Sequence, residues 1–339
     1  MTISTFFGWP LAACGCFWSV AVVLSAANQG ISLNDVRLRD PAILADEATR
    51  TYYLVSSMAH PPASAGQTRH PGVSVLTSKD LVTWQGPIRV FNVPLDAWAR
   101  KDVWAPEMHH YAGKYYIFTT FDSTNNFPEQ WSGWLPRVQR GCVIAVADSP
   151  LGPFRLMQNA PCTPADIMTL DGTLWIEEGH PYLVYCHEWV QISNGAMELL
   201  RLKQDLSAAD GPPVLLFRGS DAPWSRPSKT HGSFVTDGPW LHRTKSAKLL
   251  MLWSSFGDGG YTVGIAESES GKVSGPWRQQ PEPLFQRNGG HAMLFRTFEG
   301  VLMLALHQPN TSPHERARLF EVEDIGDTLR IGRPFSASR

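Results

Sequence analysis

The sequence predicts an all-β protein, and more specifically a five-bladed β-propeller. The prediction rests on a hairpin pattern that recurs five times and on the lack of an apolar period of 3.6 residues, which would indicate a long helix. The composition agrees, because 28 Gly and 26 Pro in 339 residues supply many turns between short strands. Hydrophobic residues make up 43% of the chain and charged residues 18%, so the chain can bury a large core.

Five stretches share the hairpin design. Each begins with a polar residue beside Gly or Pro, continues as a short apolar strand, turns at charged residues or Gly, and returns as a second apolar strand. The stretches are RDPAILADEATRTYYLVSS (39–57), WAPEMHHYAGKYYIFTTF (104–121), LDGTLWIEEGHPYLVYCHEW (170–189), TDGPWLHRTKSAKLLMLWSSF (236–256) and GGHAMLFRTFEGVLMLALHQP (289–309). Their leading polar residues are Asp40, Glu107, Asp171, Asp237 and His291, spaced about 54 to 67 residues apart.

A second, turn-rich element recurs between the hairpins. Its copies are SKDLVTWQGP (78–87), DSPLGPF (148–154), KQDLSAADGP (203–212) and SGKVSGPW (270–277). Each copy can turn the chain into a further outer strand, which makes about four strands per repeat and predicts one propeller blade per repeat. Five repeats predict five blades in a single domain that extends over residues 28–339.

The leading polar residues are expected to meet at one place. The innermost strand of each propeller blade begins near the central axis, so residues at that position from different blades converge on one funnel. A single acid beside Gly or Pro often only caps a turn. Acids at the same phase of several repeats instead predict a shared pocket, which would hold Asp40, Asp171 and Asp237.

Five short motifs occur in an order that resembles glycoside hydrolase family 43. They are RDP (39–41), WAPE (104–107), LDGTLW (170–175), TDGP (236–239) and GGH (289–291), and the likeness covers nearly the whole chain after residue 30. Members of that family are five-bladed propellers that act mainly on arabinose- and xylose-containing glycans. The resemblance therefore implies an inverting hydrolase of α-L-arabinofuranosyl or β-D-xylosyl linkages in oligo- or polysaccharides.

The same resemblance implies roles for the acids. Asp40 would be the general base, and Asp171 would orient the general acid and tune its pKa. The family usually has Glu in an EGP-like motif where this chain has Asp237, so the general acid is either Asp237, which we favour, or Glu188. Glu188 lies in CHEW, where an aromatic neighbour can raise the pKa of a carboxyl. Glu107 stands where the family usually has Asp, and we interpret it as a wall or support residue of the substrate pocket.

Several aromatic residues are candidates for contacts with sugar rings. Trp104 and Trp189 adjoin funnel motifs and are the strongest candidates for stacking. His231 lies at the expected funnel edge, where it contacts substrate or caps a loop. The tryptophans with either a stacking or a core role are Trp224, Trp240 and Trp253.

His291 is the candidate metal residue. It matches an axial His that, in several members of the family, helps hold a calcium or sodium ion through water. Because Ca²⁺ prefers oxygen ligands, His would be an unusual direct ligand, and a metal-free His that is hydrogen-bonded on the axis is the alternative. We expect that the chemistry requires no cofactor and that a structural Ca²⁺ occupies the axis.

Two other functions stay open at the level of sequence. An invertase- or fructanase-type propeller hydrolase would need an NDPNG-like nucleophile motif upstream of RDP and a Glu-Cys acid pair, and neither occurs. A non-catalytic carbohydrate-binding propeller would result if Asp237 marks a decayed acid. The net charge of −2 argues against a nucleic-acid partner.

The N-terminal segment predicts export. Residues 1–27 contain no Lys, Arg, Asp or Glu and end in Ser-Ala-Ala, which indicates a signal peptide and a secreted or periplasmic protein, although a basic start is missing. An uncleaved membrane anchor and a wrongly assigned start are the alternatives. The cysteines beyond this segment, Cys142, Cys162 and Cys186, have no zinc-site spacing and are expected to be buried, with at most one disulfide.

Overall fold

The computed structural model describes residues 30–58 and 70–335, which form five four-stranded antiparallel sheets. In every sheet the spatial order of the strands equals their order along the chain. The first strands of neighbouring sheets contact one another around a closed ring. The predicted five-bladed β-propeller is therefore confirmed, and each blade comes from one continuous segment of chain.

The strand bounds follow the predicted hairpins and outer strands. Blade 1 contains β1 (Leu38–Asp46), β2 (Thr51–Met58), β3 (Gly72–Ser78) and β4 (Trp84–Asn92). Blade 2 contains β5 (Asp102–Tyr111), β6 (Lys114–Asn126), β7 (Val138–Ala147) and β8 (Arg155–Leu156). Blade 3 contains β9 (Thr169–Glu177), β10 (His180–His187), β11 (Ala196–Arg201) and β12 (Val214–Arg218).

Blade 4 contains β13 (Asp237–Arg243), β14 (Leu249–Gly257), β15 (Gly260–Ser268) and β16 (Trp277–Gln279). Blade 5 contains β17 (Gly290–Arg296), β18 (Leu302–Gln308), β19 (Arg316–Asp324) and β20 (Leu329–Pro334). The helical structure in the described residues is limited to α1 (Trp189–Ile192) and a 3₁₀ turn (Gly219–Asp221), and both lie in loops. No helix within residues 30–58 and 70–335 has the length and apolarity to cross a membrane.

The core consists of apolar clusters between adjacent blades, one at each of the five interfaces. The second strands show why. In β10, Leu183 and Tyr185 pack toward blade 2, whereas Val184 and Cys186 pack toward blade 4. Successive side chains of a strand point to opposite faces, and both faces of a blade are buried, so each second strand contains a continuous apolar run, such as Leu183–Cys186.

The ring closes where blade 5 meets blade 1. The Leu38 N–H donates to the Glu315 carbonyl at 3.0 Å. The fully buried Glu315 carboxylate also pairs with Arg37 and Arg39, each at 3.1 Å. Arg39 precedes Asp40, so the closure of the ring also holds the start of the RDP motif.

Each innermost strand bends at one residue near its start. These residues have a positive φ: Asp40 (49°), Ala105 (40°), Asp171 (55°), Gly238 (51°) and His291 (53°). A positive φ is costly for residues other than glycine, so a repeated bend of this kind points to a functional demand on the backbone. The sequence alignment of the blades was therefore wrong at two places, because Ala105 and Gly238, rather than Glu107 and Asp237, are equivalent to Asp40. An Ala-Pro or Gly-Pro step carries no side-chain signal of such a bend.

Two sequence-based predictions concern the termini and the cysteines. The predicted signal peptide, residues 1–27, lies outside the described residues. Cys142, Cys162 and Cys186 are free, and Cys142 and Cys186 are buried as expected. Burial raises the pKa of the Cys162 thiol to about 12, which keeps that thiol protonated and unreactive.

Candidate active site

The bends bring acids from three blades to one end of the axis. The Asp171 Oδ2 atom accepts a hydrogen bond from the Gly238 N–H at 3.1 Å, which ties blade 3 to blade 4. The His291 Nδ1 atom lies 3.3 Å from Asp40 Oδ1 and 3.7 Å from Asp171 Oδ2. The shared pocket predicted from the repeat phase is therefore present, and the three acids belong to blades 1, 3 and 4.

Gly238 has a packing requirement as well as a conformational one. A Cβ atom at this position would lie 2.8 Å from His291 Cγ, which is closer than side-chain atoms approach in proteins. Its positive φ also disfavours any other residue. Glycine therefore allows the acid of blade 4 and the His of blade 5 to share the axis.

Two imidazoles surround Asp40. Besides His291, the fully buried His307 places Nδ1 3.2 Å from Asp40 Oδ1 and 3.3 Å from the Asp40 backbone N. Burial acts to raise the pKa of Asp40, but His291, His307 and Arg39 outweigh it and hold that pKa well below the usual carboxyl range. Asp40 is consequently a carboxylate at neutral pH, as a general base must be.

Asp237 has the opposite environment. Burial raises the pKa of Asp237 to about 7, with the charges of Asp40 and Glu188 acting in the same direction and the hydrogen bond from Tyr261 opposing them. The Tyr261 hydroxyl donates to Asp237 Oδ2 at 2.8 Å. Asp237 therefore holds a proton near neutral pH, as a general acid must.

Asp171 lies between these two acids. Burial, followed by the charges of Asp237 and Asp40, raises the pKa of Asp171 well above its usual value. Ionisation of either Asp171 or Asp237 makes ionisation of the other harder, so the pair titrates as one unit. This is the electrostatic coupling that a residue tuning the acid requires.

Glu188, the rival acid, belongs to a buried ion-pair network. Arg140 Nη1 donates to Glu188 Oε2, and Arg140 also binds Asp122 Oδ1 through Nη2 at 2.8 Å. Lys101 pairs with Asp122 at 2.6 Å. Burial raises the pKa of Glu188, and the pairing with Arg140 opposes that rise. The Arg140 guanidinium lies 4.1 Å from the ring centroid of Trp104, so this stacking candidate already has one face covered.

The other predicted contact residues divide into two groups. Trp189 and His231 lie together, with ring centroids 5.6 Å apart. Trp189 is in the connection between β10 and β11 of blade 3, and His231 is in the connection from blade 3 to blade 4. Glu107 is buried, and its Oε2 atom lies 3.0 Å from His109 Nε2. Its role as a wall or support residue stays a prediction. Three tryptophans had either a stacking or a core role. Trp224 and Trp253 are buried in the core between blades 3 and 4. Trp240 packs against the apolar clusters between blades 4 and 5 and between blades 5 and 1.

Several residues of the site were not predicted from the sequence. His307 is the penultimate residue of β18, and Tyr261 is the second residue of β15. Their rings stack at 5.5 Å with an interplanar angle of 16°. The pair links the neighbourhood of Asp40 to that of Asp237. The available signal was weak, because His307 is one polar residue after an apolar run, and Tyr261 fits any strand.

The residues around His291 do not fit direct coordination of a metal ion. In the described parts of the chain, no group of three or more His, Cys, Asp or Glu side chains is arranged to hold one. His291 Nδ1 faces two acids at hydrogen-bonding or slightly longer distance, and hard cations prefer oxygen ligands.

The geometry defines the class of this protein as a five-bladed propeller with a buried acidic pocket on its axis. The model of glycosyl hydrolases family 43 matches residues 33–324, which is most of the chain. A solved endo-arabinase from Bacteroides thetaiotaomicron VPI-5482 is 39% identical, with a TM-score of 0.75, over 87% of this chain and 97% of that chain. The chain therefore belongs to glycosyl hydrolases family 43, whose members hydrolyse glycosidic bonds.

Other relatives agree with this assignment. Alpha-L-arabinofuranosidase B of Pyricularia oryzae is 25% identical over 204 residues, which is 56% of this chain and 39% of the relative. Alpha-L-arabinofuranosidase 43 of Humicola insolens has the same identity and coverage over 203 residues. The chain thus matches less than half the length of these curated relatives. A thermostable family-43 glycoside hydrolase, 20% identical with a TM-score of 0.70 over 90% of this chain and 96% of that chain, shares the fold.

Proposed function

We propose that this chain is an inverting glycosidase that hydrolyses α-L-arabinofuranosyl linkages, with Asp40 as general base and Asp237 as general acid. The observation that carries the proposal is the opposite protonation of two acids at one axial pocket. Asp40 is held ionised by two imidazoles and Arg39, while burial and nearby negative charges keep Asp237 protonated to about pH 7. Pairs of acids whose environments separate their pKa values in this way serve as base and acid.

The reaction follows from these states. Asp40 removes a proton from a water molecule, whose oxygen attacks the anomeric carbon from one face of the sugar. The bond from that carbon to the glycosidic oxygen breaks, and Asp237 gives its proton to the leaving oxygen. The anomeric configuration inverts in this single displacement. Such a mechanism needs the two carboxyls about 6.5–9.5 Å apart, and acids on the non-adjacent blades 1 and 4 suit that requirement.

Asp237 is favoured over Glu188 by the contacts of the two groups. A general acid must carry a proton and release it to the substrate. Glu188 is bound to Arg140, which stabilises its carboxylate form. Asp237 has no cationic side chain within ion-pair distance among the described residues, and its carboxyl accepts a hydrogen bond from the Tyr261 hydroxyl. We assign Glu188 the role of holding Arg140 against Trp104.

The substrate class is proposed from the relatives. The endo-arabinase at 39% identity and both curated arabinofuranosidases are named for activity on arabinose linkages. β-D-Xylosyl linkages are the second candidate, because the solved xylan β-1,4-xylosidase of Bacillus halodurans shares the fold, although at only 19% identity. We propose export from the cytoplasm, a polysaccharide as the binding partner and no nucleic-acid partner, on the grounds of the N-terminal sequence and the net charge.

The first experiment measures hydrolysis of linear arabinan, xylan, and aryl α-L-arabinofuranosides and β-D-xylosides by the wild type and by Asp40→Asn. We expect arabinose or arabino-oligosaccharides from the wild type, and a rate lower by about 10²–10⁴-fold from the variant. Proton NMR of the first product should show the β-anomer. Release of the α-anomer would contradict inversion, and binding without turnover by the wild type would favour the non-catalytic alternative.

A calcium ion held through water near His291 stays a prediction. Because the proposed steps use only carboxyls, we expect initial rates after treatment with EDTA to stay within about twofold of the untreated rate. A melting temperature that falls with EDTA and recovers with added Ca²⁺ would support the ion. A melting temperature unchanged by both treatments would remove it.

A further inference from the structure

A cluster of aromatic rings borders the candidate active site on the side of blades 2 to 4. Trp131, Trp134, Trp189 and His231 form this cluster, which we call the aromatic surface. The ring centroids of Trp131 and Trp134 lie 5.5 Å apart, and Trp134 lies 6.2 Å from Trp189 and 5.2 Å from His231. The four residues come from three loops at the same end of the propeller as the axial acids, because these loops all join the strand ends on that side.

The loop that carries Trp131 and Trp134 is held in one conformation. This loop, residues 127–137, joins β6 to β7, and the Trp134 Nε1–H donates to the Val190 carbonyl at 2.7 Å. Gln130 donates to the carbonyls of residues 127 and 137 and accepts from the Arg137 N–H, all at 2.8–3.0 Å. The rings are thus placed before any ligand arrives, which lowers the entropic cost of binding.

Trp131 has 37% of its surface exposed to water, and the other tryptophans within residues 30–58 and 70–335 are more buried. The buried Arg137 guanidinium lies 3.5 Å from its ring centroid and pairs with Glu129 at 3.1 Å. A large apolar ring that the protein orients with a buried cation, yet leaves in contact with water, points to a ligand with an apolar face.

The aromatic surface is continuous with the axial pocket. Trp189 directly follows Glu188, the buried carboxylate that binds Arg140 beside Trp104. Trp189 also packs, with Trp134, against a small core of Val138, Met168 and Val190. A chain of rings therefore leads outward from the buried charges near the acids to the exposed Trp131.

We propose that the aromatic surface binds a sugar unit of a polysaccharide away from the bond that is cleaved, with Trp131 as its outermost stacking residue. The proposal rests on the proposed function, because it assigns a polymeric arabinan to the same site. Sugar rings have apolar C–H faces that pack on indole rings, while polar atoms at the ring edge remain in water. The surface would make the enzyme prefer a chain over a short substrate.

The test compares Trp131→Ala with the wild type on linear arabinan and on an aryl arabinofuranoside. We expect KM for arabinan to rise about five- to tenfold, with kcat/KM for the aryl substrate within about twofold. Trp131→Phe should recover most of the affinity for arabinan, because it keeps an aromatic ring. Ile176→Ala is the matched control, because Ile176 is an exposed apolar residue at the opposite end of β9. It should change neither KM for arabinan nor kcat/KM for the aryl substrate. Equal KM values of Trp131→Ala and wild type for arabinan would overturn the proposal.

A binding measurement separates this proposal from the proposed function. Asp40→Asn and the double variant Asp40→Asn/Trp131→Ala are run on native gels that contain arabinan or xylan. We expect arabinan to slow the single variant more than the double variant, even if no panel substrate is hydrolysed. The same mobility for both variants in every polymer, including no retardation of either, would overturn the aromatic surface as a sugar site.

Discussion

Asp40 and Asp237 are both aspartates at the entrance of an innermost strand, yet their protonation at neutral pH is opposite. Both are largely withdrawn from water, and loss of hydration by itself raises the pKa of any carboxyl. Asp40 has two imidazoles and Arg39 beside it, and these overcome the effect of burial. Asp237 has a tyrosine hydroxyl and other acids beside it, and these do not. The neighbours of an acid, rather than its residue type or its depth, decide whether it is charged or protonated.

The shared bend has a further consequence for these two acids. Asp40 occupies the bent position of its strand, whereas Asp237 precedes the bend, which falls on Gly238. The Asp40 carboxylate therefore lies beside the axial imidazoles, whereas the Asp237 carboxyl lies beside Tyr261 of β15 in the same blade. A one-residue difference in phase thus gives the two acids different neighbours.

The largest expected effect is on kcat/KM, and its dependence on the leaving group of the substrate distinguishes the general base from the general acid. Asp40→Asn should lower kcat/KM by about 10²–10⁴-fold for every aryl arabinofuranoside, because activation of water does not depend on the leaving group. Asp237→Asn should lower kcat/KM by as much for phenyl arabinofuranoside. It should lower kcat/KM much less for the 2,4-dinitrophenyl derivative, whose leaving group needs no proton. Glu188→Gln is the matched control. If Glu188→Gln instead showed the dependence on leaving group, Glu188 would be the acid.

A smaller effect concerns the pH profile. The Tyr261 hydroxyl donates to the Asp237 carboxylate and lowers the pKa of Asp237, against burial and the charges of Asp40 and Glu188. Tyr261→Phe should therefore raise that pKa above about 7 and move the basic limb of kcat/KM to higher pH. Tyr115→Phe is the control, since Tyr115 donates to Asp46 at the far end of β1. A basic limb that stays in place or moves to lower pH would contradict the assignment of Asp237.

The smallest expected effect is on stability. A carboxyl whose pKa is raised to about 7 on folding binds its proton more tightly in the folded chain, so the free energy of unfolding falls as the pH rises from about 4 to 7. Asp237→Asn has no such carboxyl, so its free energy of unfolding should not fall for this reason as the pH rises. We expect its melting temperature to exceed that of the wild type by about 2 °C at pH 8, and by less at pH 5.

The exposed Asp35→Asn should show no such difference between the two pH values. Equal gains for Asp237→Asn at pH 5 and pH 8 would mean that Asp237 is ionised at both pH values and would contradict the raised pKa. Substitutions that remove a destabilised functional acid often stabilise a protein at the cost of its activity.

The hairpin pattern was sufficient to predict the five blades and the convergence of three acids. Alternating burial toward two neighbouring blades makes each second strand apolar along its length, as in β10, and that pattern is visible in sequence. The leading polar residues of the repeats place Glu107 and Asp237 in register with Asp40, but the bends fall on Ala105 and Gly238. Backbone conformation at an Ala-Pro or Gly-Pro step depends on packing across the axis, as the approach of Gly238 to His291 illustrates.

The number of blades, the order of the motifs and the presence of acids at the entrances of innermost strands follow from local periodicity and turn chemistry, which are visible in the sequence. The charge state of each acid, and the pairing of Glu188 with Arg140, depend on the fold, because a pKa responds to burial and to charges within a few ångströms. Those neighbours, such as His307 for Asp40 and Tyr261 for Asp237, come from strands that are distant in the chain or belong to other blades.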